Sequence, residues 1–200
     1  MSTLKRPIVW LGLLAAFHLA FSWLYLDLSV PNERSRIYLA VDLVDHGTLS
    51  IDRAVERFGR IPDLAAHEGH TYSDKAPGSS FLAAGVYWLV RRFSEPGDWT
   101  IEGLLRLMRT VLAIPIGMLG FFLLWRFLRR LGVENWIAEL TAVGWLLGTT
   151  AFHYSTVYYG HQIVAVALLG ALWLVETVPR GDLDSNEEGS VADYLRMIGA

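Results

Sequence analysis

Hydrophobic positions along the chain gather into long apolar runs separated by short charged patches. Between Arg6 and Asp27 no charged residue interrupts "PIVWLGLLAAFHLAFSWLYL". A helix of that length covers about 30 Å, the thickness of a bilayer core. The run is too long and aromatic for a secretory leader and lacks a small-x-small cleavage site, so it predicts a retained span over 7–27. A second run, Thr110–Trp125, extends back through Leu104, with Arg106 and Arg109 snorkelling toward the headgroups. Pro115 is expected to kink it, and Arg126, Arg129 and Arg130 close it. Beyond Glu139 no Asp, Glu, Lys or Arg appears until Glu176. One helix of that length would measure about 54 Å, so a hairpin of two spans fits better. Its break falls at "FHYSTVYYGHQ", 152–162, where polar and interface-loving aromatic residues replace the Leu/Val/Ala pattern.

One apolar run is too short to cross. "SSFLAAGVYWLV", 79–90, lies between Lys75 and Arg91 and falls short of the roughly 17 residues a span requires. If it crossed, the 126–130 arginines would face opposite to Lys5 and Arg6. If it lies in the interface, both basic clusters face the cytoplasm, as the positive-inside tendency favours. The resulting expectation is an all-α polytopic membrane protein with four spans: 7–27 outward, 104–127 inward, 137–156 outward and 161–178 inward. The N-terminus is then cytoplasmic, and residues 28–103 form a large extracytoplasmic loop.

Within that loop, 31–47 reads as a helix with Asn32 as N-cap, Glu33 in the first turn and Gly47 as the stop. Ile37, Ala40, Val41 and Val44 share one face and Asp42 and Asp45 the other, the pattern of an amphipathic helix lying on a bilayer. Pro77–Phe93 is a second juxtamembrane helix, and the charged, turn-rich stretch 48–76 reads as a surface loop. The tail 180–193 is acidic and polar, in keeping with a cytoplasmic loop. The last residues, "YLRMIGA", look like the start of a further apolar segment, as in the N-terminal part of a longer protein.

Composition agrees with this reading. Of all residues 53% are hydrophobic and only 18% charged, against about a quarter charged in soluble domains. A net charge of −3 argues against a nucleic-acid partner, and the absence of cysteine removes disulfides, thiolate metal sites and a cysteine nucleophile. No phosphate-binding P-loop, dinucleotide fingerprint or GxSxG occurs.

The candidate chemistry lies on the outer face. Glu33, at a helix start near the membrane, is placed to act as a general base, and Asp74 opens the second outer helix. Lys75, Arg36 and Arg34 are cations suited to a lipid phosphate. The bland readings are equally concrete: Glu33 favours the helix dipole, and Lys75 is an interfacial anchor with Asp74 as its salt-bridge partner. His67 and His70 have i, i+3 spacing but flank Gly69 in a loop, as surface histidines do. His161 is ionisable within an otherwise uncharged stretch, a placement that often marks function, and Tyr159 lies beside it. His18 is expected to bond within the bundle.

The order of these motifs resembles the lipid-dependent glycosyltransferases of the GT-C class, including protein O-mannosyltransferases and the lipid A aminoarabinose transferase. Their first outer loop carries an Asp-Glu pair and an Arg/Tyr helix, and "NERSRIYLA", 32–40, stands in that place. Their acid-Lys-Pro-Pro motif opens a juxtamembrane helix, as "YSDKAPG", 72–78, does here. Their later loop carries an acid where "YYGHQ", 158–162, offers His161. Asn32 replaces the usual Asp, Ala76 interrupts the Lys-Pro step, and His161 replaces an acid. The resemblance implies a polyprenyl-phosphate-linked sugar donor, an extracytoplasmic acceptor and inverting transfer with an outer-loop carboxylate as base. Glu33 and Asp74 are then catalytic, Lys75, Arg36 and Arg34 bind the donor phosphate, and His161 and Tyr159 belong to an acceptor or second-loop site. A bacterial-type inner membrane is the implied location. The motifs specify no cofactor with certainty, and a divalent metal is left open. The rival expectation is a non-enzymatic lipid-binding or scaffolding membrane protein. A transporter fragment fits less well, because the ionisable groups gather in a loop rather than within spans.

Overall fold

A computed structural model describes residues 5–24 and 30–177. The tail 180–193 and the last residues assigned to the spans 7–27 and 161–178 lie outside the described residues. The chain is mostly helical. Helix α1 spans Lys5–Leu24, α2 Pro31–His46, α3 Asp52–Phe58, α4 Pro77–Val90 and α5 Ile101–Met108. After α5 a π-helical turn, Arg109–Ala113, leads directly into α6, Ile114–Arg130. Helices α7 (Asn135–Gly148), α8 (Thr150–Thr156) and α9 (Gly160–Thr177) follow. An antiparallel hairpin, β1 (Leu64–His67) and β2 (His70–Ser73), lies between α3 and α4, with Leu64 opposite Ser73 and His67 opposite His70.

Two helices are long and apolar enough to cross a membrane, Pro7–Leu24 and the continuous Ile101–Arg130. Helices α8 and α9 form a third candidate only if taken together, because they meet at 114° across residues 157–159. The sequence-based span 137–156 is not one helix. It breaks at Thr149, whose extended backbone ends α7, and the Thr149 hydroxyl then accepts the Ala151 N–H to start α8. The 14 residues of α7 cover about 21 Å, short of a bilayer core.

Two clusters of buried side chains divide the molecule. One gathers α2, α3, α4 and α5 around Ile37, Tyr38, Tyr87, Leu104 and Met108. The other joins α1, α6, α7 and α8 through Leu14, Phe121, Trp125, Ala142 and Leu146. In this second lobe α6 is central, and small residues set its approach to its neighbours. A Cβ on Gly117 would lie 2.3 Å from Ser155 Oγ, and one on Gly120 2.6 Å from the Trp145 ring.

The π turn explains how Pro115 sits in a long helix. Proline offers no N–H and crowds the carbonyl four residues back. Here the Ile114 N–H reaches back five residues to the Arg109 carbonyl, so the register has already widened before Pro115. The same turn redirects Arg109. Instead of snorkelling, it points inward and is fully buried. Arg106 does run outward, its guanidinium 4.9 Å from the Trp23 ring centre.

The outer region departs from its sequence reading in two ways. First, 48–76 is not a loop: it forms α3 and the hairpin, tied together by Asp52, which accepts from the Thr71 N–H at 2.7 Å and pairs with His70 Nδ1 at 2.7 Å. Second, α2 does not lie on a surface. Residues from Glu33 to Asp42 are nearly all buried, Asp42 and Arg36 included. Its start also differs, with Pro31 in the first turn and Val30 as N-cap, while Asn32 turns its side chain to Arg36. Gly47, at φ 66°, ends it as expected. Helix α4 instead keeps an amphipathic division. Ser79, Ser80, Ala83, Ala84 and Tyr87 face inward, while Phe81, Leu82, Trp88 and Leu89 stand exposed. Exposed apolar side chains also line α1 and α9, which together with the two long helices supports association with a membrane.

Candidate functional site

The two lobes meet at a buried ion pair. Glu33, from the first turn of α2, is fully enclosed. Arg109 donates to it through Nε at 2.9 Å and Nη2 at 2.5 Å, the two-pronged geometry a guanidinium makes with a carboxylate. The backbone N–H of Tyr158, in the break between α8 and α9, donates to the same Glu33 oxygen that meets Nε. One carboxylate thus ties together α2, the π turn of the long helix and the α8–α9 bend. Tyr158 adds a second tie, its hydroxyl donating to the Ser79 carbonyl of α4 at 2.5 Å.

One helical turn beyond Glu33, on a neighbouring face of α2, lies Arg36. It is buried, with 6% of its surface exposed. Its Nε donates to Ser79 Oγ at 2.8 Å, and its Nη1 donates to the Asn32 carbonyl at 2.8 Å and to Asn32 Oδ1. No carboxylate lies within ion-pair distance of it among the described residues. Its Nη2 has no hydrogen-bond partner there and lies 3.4 Å from where a Cβ on residue 160 would sit. The glycine at 160 therefore leaves space in front of the guanidinium. Burial draws the Arg36 pKa down, with Tyr158, Tyr159, Asp74 and Asp63 acting in the opposite direction. An arginine remains charged despite such a shift. A buried cation lacking a paired acid is costly unless an anion joins it.

That space belongs to a cleft of about 810 Å³ between α4 and α9. Arg36, Ser79 and His161 supply its polar lining, and Leu82, Val164 and Leu168 contribute apolar walls from the exposed faces of the two helices.

Lys75 and Asp74 adjoin the cleft, since Ala76 and Gly78 are part of its lining. The Lys75 ammonium is 3.1 Å from Asp74 and 3.1 Å from Asp63. Partial burial works against its charge, but the hydrogen bonds to Asp63 and Asp74 prevail and raise its pKa. Both acids also act electrostatically on Arg36. Asp63 has no signature in the sequence that would join it to this group; the hairpin brings it there.

His161 stacks on Tyr154, ring centres 4.7 Å apart and planes 14° from parallel. Tyr159 sits edge-on to His153 at 6.0 Å and within electrostatic range of Glu33, Arg109 and Arg36. Arg34 is elsewhere. Two positions along a helix from Arg36, it faces the other way and donates to Tyr38 Oη at 2.9 Å and to the Phe58 carbonyl at 2.6 Å. His67 and His70 stand exposed at the hairpin turn. No group of three or more His, Asp or Glu side chains able to hold a metal occurs among the described residues.

Of the residues singled out in the sequence, Arg36 and His161 therefore line one cleft, and Asp74 and Lys75 immediately precede its lining residue Ala76 in the chain. Glu33, Tyr159 and Arg34 are not part of its lining. Arg109, Ser79, Tyr158 and Gly160 were not singled out. Arg109 had a signal, a charge at the edge of an apolar run with no partner nearby in sequence. Compared with known protein families, curated proteins and solved structures, the chain matches none.

Proposed function

We propose that the cleft binds a polyprenyl-phosphate-linked sugar and that the chain is part of a membrane glycosyltransferase resembling the GT-C class. The observation that carries this reading is Arg36, a buried arginine with no paired acid and with one guanidinium nitrogen turned toward an apolar cleft. The lipid phosphate meets Arg36, and the chain runs between α4 and α9. With a cytoplasmic N-terminus, and with α1 and the long helix Ile101–Arg130 crossing in opposite directions, this face is extracytoplasmic and the membrane is of the bacterial inner type. In the transfer step an acceptor oxygen bonds to the anomeric carbon. The bond from that carbon to the phosphate oxygen breaks, and its electron pair leaves with the lipid phosphate. Arg36 stabilises the charge growing on that oxygen. Asp74, exposed and close to the phosphate, takes the acceptor's proton. Glu33 is better suited to positioning, since its oxygens are occupied by Arg109 and the Tyr158 N–H. Lys75 orients the acids rather than serving as the main phosphate ligand.

A second reading has its own support. The same enclosure of Glu33 fits a lipid-binding or scaffolding protein that performs no transfer. Incubating the protein in nanodiscs with polyprenyl phosphate carrying a radiolabelled sugar, together with candidate hydroxyl acceptors, separates the two. Transfer that falls by about 10²–10⁴-fold in Asp74→Asn, with lipid binding retained, supports the enzyme. Lipid binding with no transfer to any acceptor supports the second reading.

A further inference from the structure

We infer that His161, backed by Tyr154, is a stacking subsite for a pyranose ring joined directly to the phosphate held by Arg36. This rests on the phosphate reading of the cleft and names the group next to that phosphate. The cation and the ring adjoin each other. Residue 160 faces the Arg36 guanidinium, and His161 follows it in the chain, its Cα about 3.8 Å further on. A headgroup reaching both needs no spacer between phosphate and ring. His161 lines the cleft and is exposed, with Tyr154 stacked on one ring face at 4.7 Å and Tyr159 tilted toward the ring at 6.1 Å, which leaves the exposed remainder of the ring to a ligand. A stacked pair held in this way keeps its orientation, and flat aromatic faces receive the C–H face of a sugar. Asp63 and Asp74, both held by Lys75 and near enough to Arg36 to act on it electrostatically, offer acceptors for sugar hydroxyl groups. An unadorned lipid phosphate would use none of these features. The turn "YYGH" therefore serves three tasks in sequence: Tyr158 ties it to Glu33 and Ser79, Gly160 clears the phosphate position, and His161 presents the ring.

The test compares affinities of the full chain in nanodiscs for polyprenyl phosphate carrying one hexose and for the same lipid without sugar. The wild type is expected to favour the sugar-bearing lipid by roughly threefold to tenfold, the range of a single aromatic contact. His161→Ala lowers that ratio toward one, whereas His161→Phe, which keeps a ring but cannot ionise, retains it. A wild-type ratio near one, with both lipids bound, overturns the subsite alone. Loss of the ratio in His161→Phe as well as His161→Ala assigns the effect to the imidazole nitrogens and also overturns it. Equal competition by phosphatidylcholine would assign the ring pair to a quaternary ammonium instead. Binding of neither lipid overturns the phosphate reading and this inference with it.

Discussion

At the scale of single residues, two buried arginines behave differently because of what meets them. Arg109 is buried against Glu33, and Arg36 is buried against neutral partners. Removing one side of a buried ion pair strands the other charge, which costs about 3–5 kcal/mol. Glu33→Ala is therefore expected to lower thermal stability by about that amount in detergent-solubilised protein. The double variant Glu33→Leu, Arg109→Met should recover most of the loss. A Glu33→Ala protein as stable as wild type, and defective only in transfer, would instead restore Glu33 as the base. Asp42 carries a different signature. Burial raises its carboxyl above the usual range, against the opposing hydrogen bond from the Ala54 N–H. In the unfolded chain it ionises near pH ~4. Below that pH both states are protonated and the residue costs nothing. As pH rises through the folded value, the buried charge reduces stability. Stability should thus decline with rising pH across that window, and Asp42→Asn should flatten the decline in melts taken between about pH 4 and 7.

At the scale of elements, apolar periodicity made much of the helical content legible. The runs that became α1, α4 and α6 announce themselves by length and composition, and Gly47 and Pro77 mark real boundaries. Three things were hidden. The hairpin 64–73 is short and weakly apolar, and Asp52, distant in sequence, anchors it. Helix α2 has Asp42 on the face its pattern assigns to water, yet α3 covers that face and offers the Ala54 N–H. The break at Thr149 falls just ahead of the stretch 152–162 where the sequence places one, at a Gly-Thr-Thr step that signals nothing by itself. The close approach at Gly117 of α6 gives a test. Ser155 is fixed there by its bond to the Ala151 carbonyl at 2.7 Å. Gly117→Val should destabilise the helical lobe by about 1–3 kcal/mol, read as a lower melting temperature. An unchanged melt would mean that α8 can move away freely.

At the scale of the whole molecule, the account joins an outward-facing apolar surface to a polar junction between lobes. The cleft lies where the exposed faces of α4 and α9 come together. The individual motifs around it were readable from sequence, but their convergence was not, since Ser79, Gly160 and Asp63 acquire meaning only through contacts with distant elements. Orientation can be tested with cysteines introduced into this cysteine-free chain. Arg60→Cys and Glu95→Cys should react with a membrane-impermeant maleimide in intact cells, and Glu134→Cys should be protected. Protection of position 95 would remove α4 from the outer interface.

The proposed lipid-phosphate role rests on Arg36, buried without a paired acid at the cleft. The most direct measurement is the affinity of the nanodisc-embedded protein for polyprenyl phosphate, compared among wild type, Arg36→Met and Lys75→Met. The account predicts at least a tenfold loss for Arg36→Met, equivalent to about 1.4 kcal/mol, and less than about a threefold change for Lys75→Met. Equal affinity of wild type and a folded Arg36→Met variant would contradict it.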